Sequence, residues 1–227
     1  MVVENLNVVR PTIPEGTRLI AVSKTKPLAM LQEAYSAGQR LFGENKALEM
    51  RDKHDAMPSD VQWHFIGHLQ KNKIKYIVQY VSMIHSIDSL ELLKAVDDAA
   101  AKSNRVVDCL LQFHIAQEET KFGLSEDEAC QLLSSPEYAS MQHARLVGVM
   151  GMATNTGDQE QVRREFASLR GIFGRLKDRY FASHPEFSEI SMGMSGDYKI
   201  AIEEGATLVR LGSTIFGARD YGAKIND

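Results

Sequence analysis

Eight short apolar segments recur along the chain, separated by stretches with helical spacing, and this beat limits the fold more than any other feature. The segments are residues 19–22, 41–42, 63–66, 83–86, 106–115, 146–150, 190–192 and 208–211. They read as apolar runs more than as strict alternations, the pattern of a parallel sheet covered on both faces. Between them, residues 28–37 put Leu28, Leu31 and Tyr35 on one helical face, with Gly38 as a stop signal. Ser89 can cap residues 90–101, and Ser125 with Glu128 forms a capping-box pattern before 129–133. Residues 162–181 carry Phe166, Leu169, Phe173 and Leu176 at helical spacing; Asp197 can cap 198–204, which Gly205 closes. Eight such alternations predict an α/β fold, a single (β/α)8 TIM barrel as one domain over residues 1–227. An open doubly wound sheet is less consistent, since no GxGxxG fingerprint follows the first strand.

A chain of 227 residues, 44% of them hydrophobic, can bury a core that needs no staples. Its two cysteines, Cys109 and Cys130, cannot build a disulfide framework or a multi-cysteine zinc site. The N-terminus has neither a basic region nor an apolar stretch of the secretory kind, and no apolar run nears the roughly 18 residues of a membrane span. A formal charge of −4 argues against a nucleic-acid partner. The expectation is a soluble, cytoplasmic protein with no membrane partner.

Barrels of this kind keep their chemistry at the C-terminal ends of the strands and often bind phosphate after strands 7 and 8. Lys24 ends the first strand and so points toward the barrel mouth. A lysine held there in low dielectric has its charged form disfavoured, the property a Schiff-base lysine requires. An ordinary surface lysine is the other reading of the same pattern. Lys26, just before Pro27, is the competing candidate and is expected to face solvent. The exits Ser191-Met192-Gly193-Met194-Ser195-Gly196 and Gly212-Ser213-Thr214 are rich in small residues, which lets backbone N–H groups approach an anion. Arg210, two residues before Gly212, projects inward; its partner is either a core carboxylate or an atom of a cofactor.

His64 and His68 straddle a strand exit and no HxH or HExxH occurs, so no metal site is expected. Lys71, Lys73 and Lys75 read as a solvated helix start or as a contact for an acidic partner. The methionines near exits 6 and 7 read as core filler, and Cys109 as buried and inert; the pattern leaves Cys130 open.

Several blocks together resemble the pyridoxal phosphate homeostasis proteins: AVSKTKP (21–27), FGEN (42–45), WHFIGHLQKNK (63–73), SMGMSGD (191–197) and VRLGSTIFGAR (209–219). That family is similar to the barrel of fold-type III enzymes such as alanine racemase. The resemblance implies that Lys24 forms the internal aldimine of pyridoxal 5′-phosphate (PLP). It further implies that Arg210 lies against the pyridine nitrogen, Asn45 near the ring, and the phosphate among Ser191, Met192, Gly212 and Ser213. An arginine donates a hydrogen bond to an unprotonated ring nitrogen, which weakens the ring as an electron sink. Racemases of this fold add an acid/base tyrosine from a C-terminal β-domain, for which a chain ending at Asp227 leaves no room. The implied function is a non-catalytic carrier or regulator of PLP, with no catalytic residue assigned; the alternative is a PLP-dependent amino-acid racemase. PLP-dependent apo-enzymes are the implied partners, and the chain is expected to be a monomer.

Overall fold

The computed structural model describes residues 1–117 and 122–218. All eight apolar segments are strands: β1 (Arg18–Val22), β2 (Leu41–Glu44), β3 (Gln62–Phe65), β4 (Met83–Ile87), β5 (Val107–Phe113), β6 (Ala144–Gly151), β7 (Glu189–Ser191) and β8 (Leu208–Leu211). They pair in chain order, all parallel, and β8 returns to β1 through Ile20↔Arg210 and Ala21↔Leu211, closing a barrel. β5 stops two residues earlier than its apolar run suggests. The Leu124 amide donates to the Gln112 carbonyl and Leu124 bridges to Phe113, so a returning segment replaces the ladder beyond that point.

Helices cover the outside as the spacing predicts. Ser89 accepts from the Leu92 amide, and Ser125 with Glu128 forms the full capping box. The longest helix, Gln159–Tyr180, starts at Asp158, whose carboxylate accepts from the amides of Glu160 and Gln161. Its buried Phe166, Leu169 and Leu176 pack on the barrel, each contributing about 1.5–3 kcal/mol of apolar burial. Two local expectations change. Asp197 stands at the N-terminus of helix Tyr198–Glu203, but its Oδ1 accepts from the Met194 amide and does not cap the helix. The KNKIK segment is a 3-10 helix, Lys71–Tyr76, inserted where an α-helix would complete the repeat.

Alternation along each strand divides the core in two. Outward-facing side chains join the helices in the larger cluster, while Ile20, Met83, Leu110, Val147, Met150 and Leu208 fill the barrel interior. Two residues along, the same inward rows reach polar groups: Leu208 is followed by Arg210, Met83 by His85, and Leu110 by Gln112. The apolar plug therefore lies below a polar layer, and that layer forms the base of the barrel mouth.

Candidate functional site

At the end of β1 the chain makes a tight turn, with the Lys26 amide donating to the Ser23 carbonyl. Thr25 adopts φ +63°, a conformation that a β-branched residue rarely holds. A buried ionic cluster fixes it. Lys53 Nζ donates to the Ser23 carbonyl, to Glu44 Oε1 and to Glu49 Oε1, each at 2.7 Å. Glu49 Oε1 also accepts from the Thr25 amide, and Ser23 Oγ donates to Glu44 Oε1 at 2.6 Å. The peptide groups on either side of Lys24 are thus both anchored. Burial raises the Glu44 carboxyl above its ordinary range, outweighing the opposing pull of Lys53. These supporting residues were not anticipated; the Glu49/Lys53 spacing of four, next to FGEN, was the available signal.

Lys24 opens into a cavity of about 280 Å³ at the barrel mouth, which it shares with Asn45, Arg210, Gly212 and Ser213. Five of the seven expected residues are therefore brought together. Ser191 and Met192 do not line it: both are fully buried. The Met192 amide donates to the Leu208 carbonyl, and the Ser191 hydroxyl is held by Arg210 and His85. The groups of this exit that do reach the cavity are Met194, Ser195 and Gly196. Between the two levels lies Gly193 at φ +90°; a Cβ there would approach the Ala201 Cβ to 2.6 Å, so glycine is required. Its carbonyl accepts the Arg210 amide, which ties exit 7 to β8.

Ser195 Oγ joins the two small-residue exits by accepting from the amides of Gly212 and Thr214, both at 3.3 Å. Among the described residues, the amides of Ser195, Gly196 and Ser213 have no acceptor, leaving three backbone donors beside the cavity. Across it, Asn45 Oδ1 is buried without a donor. A Cβ on Gly67 would come within 2.5 Å of the Asn45 carbonyl, so a glycine at exit 3 lets the Asn45 loop settle there.

Arg210 is buried, and no core carboxylate is among its hydrogen-bond partners in the described residues. Its Nη1 donates to Ser191 Oγ at 2.5 Å and its Nη2 to the Gly151 carbonyl at 3.0 Å. Burial brings its pKa down to about 10, partly offset by Asp197, so the guanidinium stays charged at neutral pH. Lys26 also departs from expectation. Its ammonium lines the cavity and donates to the carbonyls of Phe216, Gly217 and Ala218 at 2.8–3.1 Å, binding exit 1 to exit 8. Met152 and Met194 line the cavity, whereas Met150 and Met192 belong to the core. His68 is partly exposed, stacked on Phe122 and 3.5 Å from Asp88, well separated in environment from the buried His64. Arg219, the end of the VRLGSTIFGAR block, lies outside the described residues.

A sequence profile of the alanine racemase N-terminal domain matches residues 2–220. A pyridoxal phosphate homeostasis protein from Aquifex aeolicus is 37% identical over 206 residues, covering 90% of this chain and 88% of its own. The chain belongs to this family of barrels. Another pyridoxal phosphate homeostasis protein, from Vibrio alginolyticus, is 38% identical over 213 residues, 92% of this chain and 89% of its own. PipY of Synechococcus elongatus, 33% identical, has been solved without PLP and with PLP bound. The two structures superpose with TM-scores of 0.89 and 0.87, each covering 96% of this chain and 100% of PipY.

Proposed function

We propose that this chain holds pyridoxal 5′-phosphate in the mouth cavity with Lys24 as its attachment point, and carries or regulates the cofactor without transforming amino acids. The observation that carries this reading is the convergence of Lys24, Asn45, Arg210, Gly212 and Ser213 on one cavity. The names of the homeostasis relatives and the PLP-bound PipY structure support it. The residues present also fit the group. Three backbone donors suit a phosphate, a buried acceptor at Asn45 suits a hydroxyl at the ring edge, and a lysine suits an aldehyde.

When bound, PLP supplies an aldehyde that condenses with an amine and a pyridine ring that can withdraw electrons. Lys24 supplies the amine, and its anchored neighbours keep it from swinging out of the mouth. The amides of Ser195, Gly196 and Ser213 hold the phosphate, with the Ser195 hydroxyl keeping the two exits in register. Arg210 would donate a hydrogen bond toward the ring nitrogen without protonating it, because a guanidinium that keeps its charge at neutral pH is too weak an acid to release its proton.

Racemisation needs an acid on one face and a base on the other. Among the described lining residues the protonatable side chains are Lys24, Lys26 and Arg210. Lys26 is committed to three carbonyls and Arg210 to a hydroxyl and a carbonyl, so neither is placed to serve as a second acid/base opposite Lys24. L-alanine incubated with the PLP-loaded protein in deuterated water should therefore show α-proton exchange no faster than with free PLP. Rapid exchange abolished by Lys24→Ala would make the protein an enzyme.

The same reading extends to one barrel domain over residues 1–227, acting as a cytoplasmic monomer that passes PLP to apo-enzymes requiring it. Both cysteines are free, which suits a reducing compartment, and no described helix is long and apolar enough to cross a membrane. Light scattering of the purified protein tests the monomer, and recovery of activity by a PLP-dependent apo-enzyme tests the transfer.

A further inference from the structure

Two histidines from different strands meet inside the barrel, and neither lines the cavity. His64 Nδ1 lies 2.9 Å from His85 Nε2, and His85 Nδ1 lies 2.9 Å from Ser191 Oγ. Ser191 Oγ in turn lies 2.5 Å from Arg210 Nη1. All four side chains are buried, His85 and Ser191 completely. The result is a continuous row of four polar groups from β3 through β4 and β7 to β8.

Donor and acceptor inventories set the direction of the row. A guanidinium only donates, so Arg210 gives its proton to the Ser191 oxygen. The Ser191 hydroxyl then needs an acceptor for its own hydrogen, and His85 Nδ1 is the one within reach. If His85 Nδ1 carried a proton instead, that hydroxyl hydrogen would be buried with nowhere to go. His85 is therefore protonated on Nε2 and donates to His64 Nδ1, and His64 carries its proton on Nε2. With these tautomers each contact of the row pairs one donor with one acceptor, and both rings are neutral. Burial, with smaller contributions from Arg18 and, at His85, from His64 and Arg210, favours the neutral form of both.

We propose that His85, backed by His64, is a positioning residue for Arg210: it fixes the Ser191 hydroxyl as the acceptor that holds the guanidinium in place beneath the cavity. This role rests on the placement of Arg210 toward the PLP ring proposed above. With Nη1 on Ser191 and Nη2 on the Gly151 carbonyl, the guanidinium plane is held at two points from below, and its remaining donors are left for the mouth. Without His85 the serine hydroxyl can turn its hydrogen toward Arg210, and one of the two holds is lost. Hydrogen bonds in such a row also polarise one another, so an imidazole three groups away strengthens the grip on the guanidinium.

The test combines two variants with one measurement on the unaltered protein. In protein labelled with 15N at histidine and free of cofactor, His85 should show a protonated Nε2 and an unprotonated, hydrogen-bonded Nδ1. A proton on His85 Nδ1 would overturn the proposal. His85→Phe should retain its fold by circular dichroism yet bind PLP about tenfold more weakly, the scale of one hydrogen bond to a charged group. The absorption band of the bound cofactor should shift as well. His85→Asn, which restores an acceptor near the Nδ1 position, should recover most of the affinity and the band. Wild-type affinity in His85→Phe, or equal losses in both variants, would reduce the histidine to packing and overturn the proposal. A wild-type protein that takes up no PLP would instead remove the reading of the site, while the cofactor-free spectra still decide the direction of the row.

Discussion

Lys24 sits between two peptide groups that are each anchored to Glu49 or Lys53, while Arg210 in the same cavity is held by hydrogen bonds to Ser191 and Gly151. At the scale of single residues the site is therefore built from below. The histidine pair also sets a pH dependence. Burial lowers the pKa of His64 to about 3 and that of His85 well below its ordinary 6.5, whereas both rings titrate normally in the unfolded chain. Between pH 6.5 and the folded values the unfolded state binds protons that the native state does not. Stability is thus fully present above pH 6.5 and falls as the solution is acidified, by up to about 1.4 kcal/mol per pH unit for each ring. Urea unfolding at pH 7, 6 and 5 should show this loss in the cofactor-free protein, and His64→Gln should flatten the slope. A stability that stays level from pH 7 to pH 5 would contradict the neutral pair.

At the scale of elements, the turn after β1 depends on helix Ala47–His54, which delivers Glu49 and Lys53 beneath Ser23. Lys53→Met leaves Glu44, fully buried, without its cation, and breaking such a pair from one side costs about 3–5 kcal/mol. Chemical denaturation at pH 7 should show a loss of that size. The loss should shrink as the pH falls through the raised range of Glu44 and the carboxyl takes up a proton. An unchanged midpoint would mean that the cluster does not hold the turn. The strands themselves were legible from their apolar runs, because a parallel barrel strand buries both faces and that demand is written locally. The depth of each exit was not. Ser191 and Met192 fall where the seventh apolar segment meets its exit, and the pairing of the Met192 amide with the Leu208 carbonyl carries the ladder one step further and moves the exposed donors to Ser195 and Gly196. Lys26 was misplaced for a similar reason: the carbonyls that capture it lie 190–192 residues away, a proximity created only when β8 closes on β1. His64 and His85 become partners through the β3–β4 register, and no motif in either strand announces it.

For the whole molecule, closure of eight strands gathers residues from exits 1, 2, 3, 6, 7 and 8 around one cavity, with an apolar plug beneath it and a polar layer between. Lys24 and Lys26 both line that cavity, two residues apart, and they differ in what holds them. Lys26 is fixed to three carbonyls, whereas Lys24 stands at the anchored turn and shares the cavity with Asn45 and Arg210. On the proposed reading the cofactor attaches to Lys24 alone. The direct measurement is borohydride reduction of the PLP-loaded protein followed by peptide mass mapping. A single pyridoxyl group on Lys24, absent from Lys24→Ala, is the predicted result; a pyridoxyl group on Lys26, or none on either lysine, would contradict it.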